Sequence, residues 1–328
     1  MKPLLACALL SLPAFAFPNG YNYCKLVTTS VSMVSGPSDL ANYPLTVMVT
    51  DADLKSTASG GLVNNISGHD IAFYPDCSGT GTALKWEIES YTASTGALVA
   101  HVLRPVLSHV ANDTIGLYYG GSFTTFQSTP SAVWDASYKG VYHLANGSTL
   151  SAADSAASGL GNGTIINGVA ATAGKVDGGA LFASASTRYV DLGNTGAHYS
   201  NMTAEAWING TAFPASAKEI LTKGYDGSKT EWELGVGEFG AGKVEFSTYN
   251  GAKHGVTTSV ATLSPGTWYH VAGTFDGSTW RLYINGNQDS FSNDTTGPQS
   301  TARKIFTGAV DSGGAFGNFD GTIDEVRI

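Results

Sequence analysis

Apolar and polar residues alternate with a period of two along most of the chain, and Gly, Asn, Asp and Ser break the alternation at short intervals. Successive side chains on a strand point to opposite faces, so each such stretch predicts a half-buried β-strand. Residues 45–50, 71–74, 98–103 and 114–119 carry the pattern in the first part of the chain. Residues 189–192, 204–208, 244–249, 268–275 and 280–284 carry it in the second. Helical periodicity is hard to find. Asn250-Gly251, Asp276-Gly277 and Asn285-Gly286 are dipeptides of the type I′ hairpin turn and predict antiparallel neighbours. So many half-buried strands are accommodated economically as two packed antiparallel sheets, which makes the fold class all-β.

The strand pattern lapses over residues 121–138, which places a boundary near Trp134-Asp135. The chain then reads as an N-terminal β-sandwich over residues 17–135 and a second module over 136–328, with the Gly/Ser/Ala/Asn-rich stretch 146–174 as a long first loop of the latter. A length of 328 residues fits two domains, each large enough to bury a core without metals. Charged residues make up only 13 %, against roughly 25 % in an ordinary globular domain. Ser, Thr, Asn and 41 Gly replace them, while 42 % hydrophobic content argues against disorder. A net charge of −9 with no cluster of Lys or Arg repels a phosphate backbone, so nucleic acid is excluded as an expected partner.

Residues 1–16 have the layout of a secretory signal: Lys2 as the positive region, an apolar stretch from Leu4 to Leu12, and Ala14-Phe15-Ala16 as the cleavage site. The alternative is a lipoprotein modified at Cys7. No later run approaches the ~20 apolar residues of a membrane helix. The expected product is secreted, extracellular or periplasmic. Cleavage leaves Cys24 and Cys77, an isolated pair that in an oxidising compartment points to a disulfide, with two separate thiols as the alternative.

From Gly174 onward the chain resembles the laminin-G-like, concanavalin-A-like jelly rolls of bacterial surface proteins. The resemblance rests on Gly174-Lys-Val-Asp-Gly-Gly-Ala-Leu-Phe, Tyr189-Val-Asp-Leu-Gly, Met202-Thr-Ala-Glu-Ala-Trp-Ile, the block from Trp268 to Gly286, and Phe319-Asp-Gly-Thr-Ile-Asp-Glu-Val-Arg-Ile. The N-terminal part resembles an uncharacterised bacterial β-rich domain that often precedes such jelly rolls and also occurs on proton-channel subunits. Val49-Thr-Asp-Ala-Asp-Leu, Trp86-Glu-Ile-Glu-Ser-Tyr and Tyr118-Tyr-Gly-Gly carry that likeness. Members of the jelly-roll family continue past the last of these strands, so the sequence is expected to be cut short after Ile328. The resemblance also implies a structural calcium ion: Asp324 would supply a carboxylate, and His143 and Gly179 backbone carbonyls. The competing reading pairs Asp324 with Arg327 or has it cap a turn.

Chemistry legible in the residues is sparse. A retaining glycosidase needs two carboxylates ~5 Å apart, and the sequence holds no Glu-x-Asp-x-x-Glu pattern on a strand. The nearest approach is Glu231 and Glu233, with Glu238 beyond them; alternation around Trp232 reads as a solvated strand edge. Glu87 and Glu89 have the same spacing and read as an exposed face. No Gly-x-Ser-x-Gly elbow and no His-Glu-x-x-His set is present, and His270 belongs to a strand. No catalytic residue is therefore expected. Sugar recognition needs aromatic rings at loop tips with polar side chains beside them. Tyr225, Trp232, Tyr249 and Asn250, with Lys253 nearby, are the candidates, while Trp207, Trp268 and Trp280 read as core. The leading expectation is a non-catalytic module that binds carbohydrate or a surface glycoconjugate. The alternatives are a structural or protein-interaction module of an envelope protein, and a glycoside hydrolase with an unrecognised site.

Overall fold

The computed structural model describes residues 17–145, 149–157, 159–194 and 196–328, so the expected signal sequence lies outside the described residues. The chain is nearly all β and divides into two units, one ending at Asp135 and the other spanning Ala136–Ile328.

The N-terminal unit contains two three-stranded antiparallel sheets. One is ordered Tyr23–Thr29, Asp113–Tyr119, Ile71–Tyr74, and the other Leu40–Thr50, Ala97–Leu107, Lys85–Thr92. Alternate residues of these strands, including Val27, Leu45, Val47, Trp86, Leu98, Ala100, Val102, Ile115 and Leu117, share one core with Phe73. Cys24 and Cys77 are joined by a disulfide with Cα atoms 5.8 Å apart. It closes a loop of sequence separation 53, which stabilises by ~4 kcal/mol on the chain-entropy account. Glu87 and Glu89 depart from the expected exposed face. Trp134 donates its indole N–H to Glu87 at 2.8 Å, and Glu89 pairs with His101 at 2.9 Å with its own side chain 1 % exposed. Trp134, which follows the last strand, thus covers Glu87.

The C-terminal unit contains two antiparallel sheets. The larger runs Asn287–Ser292, Trp280–Ile284, Tyr269–Phe275, Met202–Gly210, Gly321–Arg327, Gly178–Phe182, Ala170–Ala173, with Val141–Tyr142 also paired to Gly321–Arg327. The other runs Lys253–Val256, Val244–Tyr249, Thr230–Val236, Lys218–Tyr225, Ile305–Thr307, Tyr189–Gly193, Thr164–Ile166. Their inner faces merge in one core that includes Phe182, Trp232, Leu234, Phe246, Val271, Trp280 and Ile323. The interdigitation is close: the Phe246 and Trp280 rings of opposite sheets stand 5.0 Å apart. Gly273 makes room for it, since a Cβ there would lie 2.1 Å from Phe246 Cγ. Asn285 and Gly286 both have positive φ, 52° and 75°, as a type I′ hairpin requires. Of the three expected core tryptophans, Trp280 is in the core and Trp207 is buried on the other face of its strand, under Lys175. Trp268 is only half-buried, ahead of its strand. Among the described residues, no helix is long and apolar enough to cross a membrane.

Candidate functional site

The strand Thr230–Val236 places Trp232, Leu234 and Val236 in the core, so Glu233 takes the opposite face, while Glu231 lies in a register shift between Thr230 and Glu233. The same alternation in Val244–Tyr249 puts Val244 and Phe246 inward and Glu245 and Ser247 on that opposite face. Neither face of this sheet is solvated at its centre. Glu219, Glu231, Glu233 and Glu245 are 3 %, 0 %, 4 % and 1 % exposed. The expected solvated edge at Glu231 and Glu233 is therefore wrong, because their strand is central in the sheet and loops cover its polar side. Ala197 accepts from Lys223, Gln299 N–H donates to the Glu231 carbonyl at 3.1 Å, and Glu219 N–H donates to Gly317 at 2.7 Å.

Two charge groups hold these carboxylates; Lys223 stands directly opposite Trp232, on the core side of the sheet, and Glu231 lies within that register shift. In the first, Glu231 is satisfied by Lys223 Nζ at 3.1 Å, His198 Nδ1 at 3.1 Å and Thr301 N–H at 3.0 Å. In the second, Lys253 Nζ contacts Glu233, lies 2.7 Å from Glu238 and 3.7 Å from Glu245. Ser247 Oγ donates to Glu233 at 2.9 Å. Burial pushes the Glu219 carboxyl up to about 7 and the Glu245 carboxyl well above the usual carboxylate range, and it pulls the Lys253 ammonium down to about 8. Glu219, Glu245 and Lys253 were not expected as a group. In a period-two pattern a covered glutamate looks the same as an exposed one.

At one end of the sheet Tyr225, Thr230 and Tyr249 align across three strands, and the two tyrosine rings stand 6.2 Å apart. Both rings are partly exposed, Tyr225 donating its hydroxyl to Gly227 at 2.7 Å. Asn250 is exposed beside them and its side-chain oxygen meets His254 Nε2 at 3.0 Å, while His254 Nδ1 meets Asp294 at 2.7 Å. Lys253, opposite Tyr249 in the hairpin, holds its Nζ 5.8 Å over the ring of Phe239, which is 43 % exposed. Phe239 is a loop aromatic that sequence reasoning passed over. Tyr225, Tyr249 and Asn250 thus come together, and Trp232 does not. It is fully buried, because its strand turns that side chain inward, and it cannot meet a ligand.

Asp324 lies on the strand Gly321–Arg327, where a register shift opposite Glu205 and Trp207 and a φ of 51° at Glu325 mark a β-bulge. Asp324 is 0 % exposed. Its Oδ2 accepts from the backbone N–H groups of Lys175 at 2.7 Å and Val176 at 2.8 Å, whereas Oδ1 takes no hydrogen bond. Burial, then the neighbouring Glu325, pushes this carboxyl well above its usual range. Arg327 pairs with Glu205 at 3.1 Å and with Glu325. His143 turns its imidazole to Glu325 at 2.7 Å. The strands before His143 and around Gly179 both pair with the Asp324 strand. His270 is buried in its strand, 3.5 Å from Glu205.

The profile of the concanavalin A-like lectin/glucanases superfamily, laminin-G type, matches residues 184–328. No curated protein matches the chain in sequence. Among solved structures, it is similar to domain 4 of a GH43 extracellular arabinanase from Geobacillus stearothermophilus in complex with arabinotriose. Identity is 18 %, coverage 58 % of this chain and 90 % of that one, and the TM-score 0.49. The binding domain of Paraclostridial Mosquitocidal Protein 1 is 12 % identical, with 58 % and 48 % covered and a TM-score of 0.45. A Ruminococcus gnavus sialidase carbohydrate-binding module bound to sialyllactose is 17 % identical, with 40 % and 76 % covered and a TM-score of 0.34.

Proposed function

We propose that this is an exported binding protein whose C-terminal jelly roll recognises carbohydrate or a surface glycoconjugate without catalysis. The observation that carries the reading is the ring pair of Tyr225 and Tyr249, with Asn250, His254 and Asp294 hydrogen-bonded in series beside it. Sugars present apolar faces to rings and hydroxyls to paired donors and acceptors, and this edge offers both. The matched superfamily, which includes lectins and glucanases, supports the fold-level part of the reading. Against hydrolysis stands the burial of Glu219, Glu233 and Glu245, which leaves a glycosidic bond no approach to two of these carboxylates at once.

A structural calcium ion belongs to the same reading. Asp324 would hold it through Oδ1, the buried oxygen that lacks a hydrogen bond, with backbone carbonyls of His143 and Gly179 completing an oxygen set of the kind calcium takes. His143 would take part through its backbone alone, since its ring is engaged by Glu325. The ion would offset the buried charge and tie three neighbouring strands together.

Glycan-array and polysaccharide-retention measurements on the full chain, with calcium and with EDTA, test both parts. Retention on a defined glycan, weakened roughly tenfold by Tyr249→Ala and lost with EDTA or Asp324→Asn, is the expected result. No retention by folded protein in either condition would overturn it and leave the structural or envelope-partner role in front.

A further inference from the structure

Glu219, Gly235 and Glu245 stand opposite one another on three adjacent strands, with Glu233 two residues before Gly235 and Glu238 three after it. We propose that Glu219, Glu233, Glu238 and Glu245 form a binding site for a divalent cation of calcium's chemistry, separate from Asp324, in which the ion takes over the contacts that Lys253 makes.

Three observations support it. Carboxylate oxygens of Glu233, Glu238 and Glu245 lie within 4.8 Å of one another. Oxygens bound to one calcium ion at 2.3–2.6 Å stand at most about 5 Å apart, so these three can reach a common ion without moving their strands. The second observation is Glu219, which stands outside that trio. It is 3 % exposed, and its Oε2 takes no hydrogen bond from any described donor. That oxygen and Oε1 of Glu245 flank the space over Gly235, where a Cβ would lie 3.0 Å from the first and 3.3 Å from the second. A residue without a side chain at the centre of the acidic face thus leaves a place that two buried oxygens border. Neither oxygen of Glu245 receives a hydrogen bond from a described donor.

The third is charge. Lys253 sets one positive charge against four carboxylates, and buried carboxylates without a donor or counter-charge are costly. The cluster must therefore hold protons or a cation. Calcium suits it better than magnesium. Magnesium keeps several waters and a strict octahedron, whereas calcium accepts six to eight oxygens in irregular arrangement. The way in is at Glu238 and Lys253, whose side chains are 33 % and 18 % exposed.

Calorimetric titration of calcium chloride into chelator-treated full-length protein counts the sites. Thermal midpoints with and without calcium give an independent readout. Asp324→Asn is expected to keep one calcium at this cluster, whereas Glu233→Gln with Glu245→Gln is expected to lose it, with affinity falling at least tenfold. If that pair of changes prevents folding, Glu238→Gln at the exposed mouth replaces it, with the same expected weakening. The proposal is overturned if the glutamine variants bind calcium as the unaltered protein does. It is equally overturned if Asp324→Asn abolishes all calcium uptake, or if the unaltered protein takes up none. Absence of glycan retention by the unaltered protein, with calcium bound at this cluster, would instead count against the lectin reading alone.

Discussion

Glu205 is pulled two ways by its surroundings. Burial by itself would raise its carboxyl, but the hydrogen bond and charge of His270 and the guanidinium of Arg327 outweigh it and hold the group far below the carboxylate range. A carboxylate depressed on folding contributes stability that is present above its ordinary value of 4.5 and is lost as pH falls through the lower, folded value. Glu205→Gln is therefore expected to cost ~3 kcal/mol at neutral pH and to flatten the acid limb of a stability–pH profile below ~4.5. An unchanged acid limb in chemical denaturation would count against the ion pair. At this scale the sequence is least informative. Trp232 and Tyr249 are both aromatic residues of neighbouring strands, yet one is fully buried and the other borders solvent. Glu231, Glu233 and Glu87 occupy the polar positions of alternating strands and are nonetheless covered. Alternation tells which face a side chain takes and says nothing about what lies on that face.

Elements were more legible. The stretches around Tyr189, Ala204, Val244, Tyr269 and Trp280 are all strands, and the Asn285-Gly286 turn has the backbone its residues demand. Each follows from interactions within a few residues, the pleat and the turn. The bulge at Glu325 was not legible, because it is defined by the register against Glu205 and Trp207, more than a hundred positions earlier in the chain. Close approach of the two sheets is likewise a property of pairs of elements. Gly273→Ala is expected to destabilise the C-terminal unit by ~1–3 kcal/mol, since the new methyl group meets the Phe246 ring, and Phe246→Leu should restore part of the loss. Additive losses in thermal melts of the single and double variants would show that the two positions do not share a contact.

For the whole molecule, each unit carries its own core, and the disulfide lies within the N-terminal one. Replacing Cys24 and Cys77 by Ala is expected to remove roughly 4 kcal/mol from that unit. Amide exchange should then quicken in Tyr23–Thr29 and Asp113–Tyr119, and unchanged protection there would sink the expectation. The sequence by itself determined the all-β class, the type I′ turn at Asn285-Gly286 and the core-facing half of most strands, because local sterics and a period of two decide these. Asn250-Gly251 and Asp276-Gly277 also join antiparallel strands, but only their glycines have positive φ, so they are not the expected type I′ turns. The sequence also pointed to Tyr225, Tyr249, Asn250 and Asp324 as residues of interest. Only the tertiary structure decided that Cys24 and Cys77 meet, that Glu233 and Glu245 on the acidic face of the smaller sheet are covered, and that Glu219 and Glu245 face each other across Gly235. Those outcomes depend on strand order and on which loops return over which sheet. Such long-range choices arise from burying one core as a whole and leave no periodic trace along the chain.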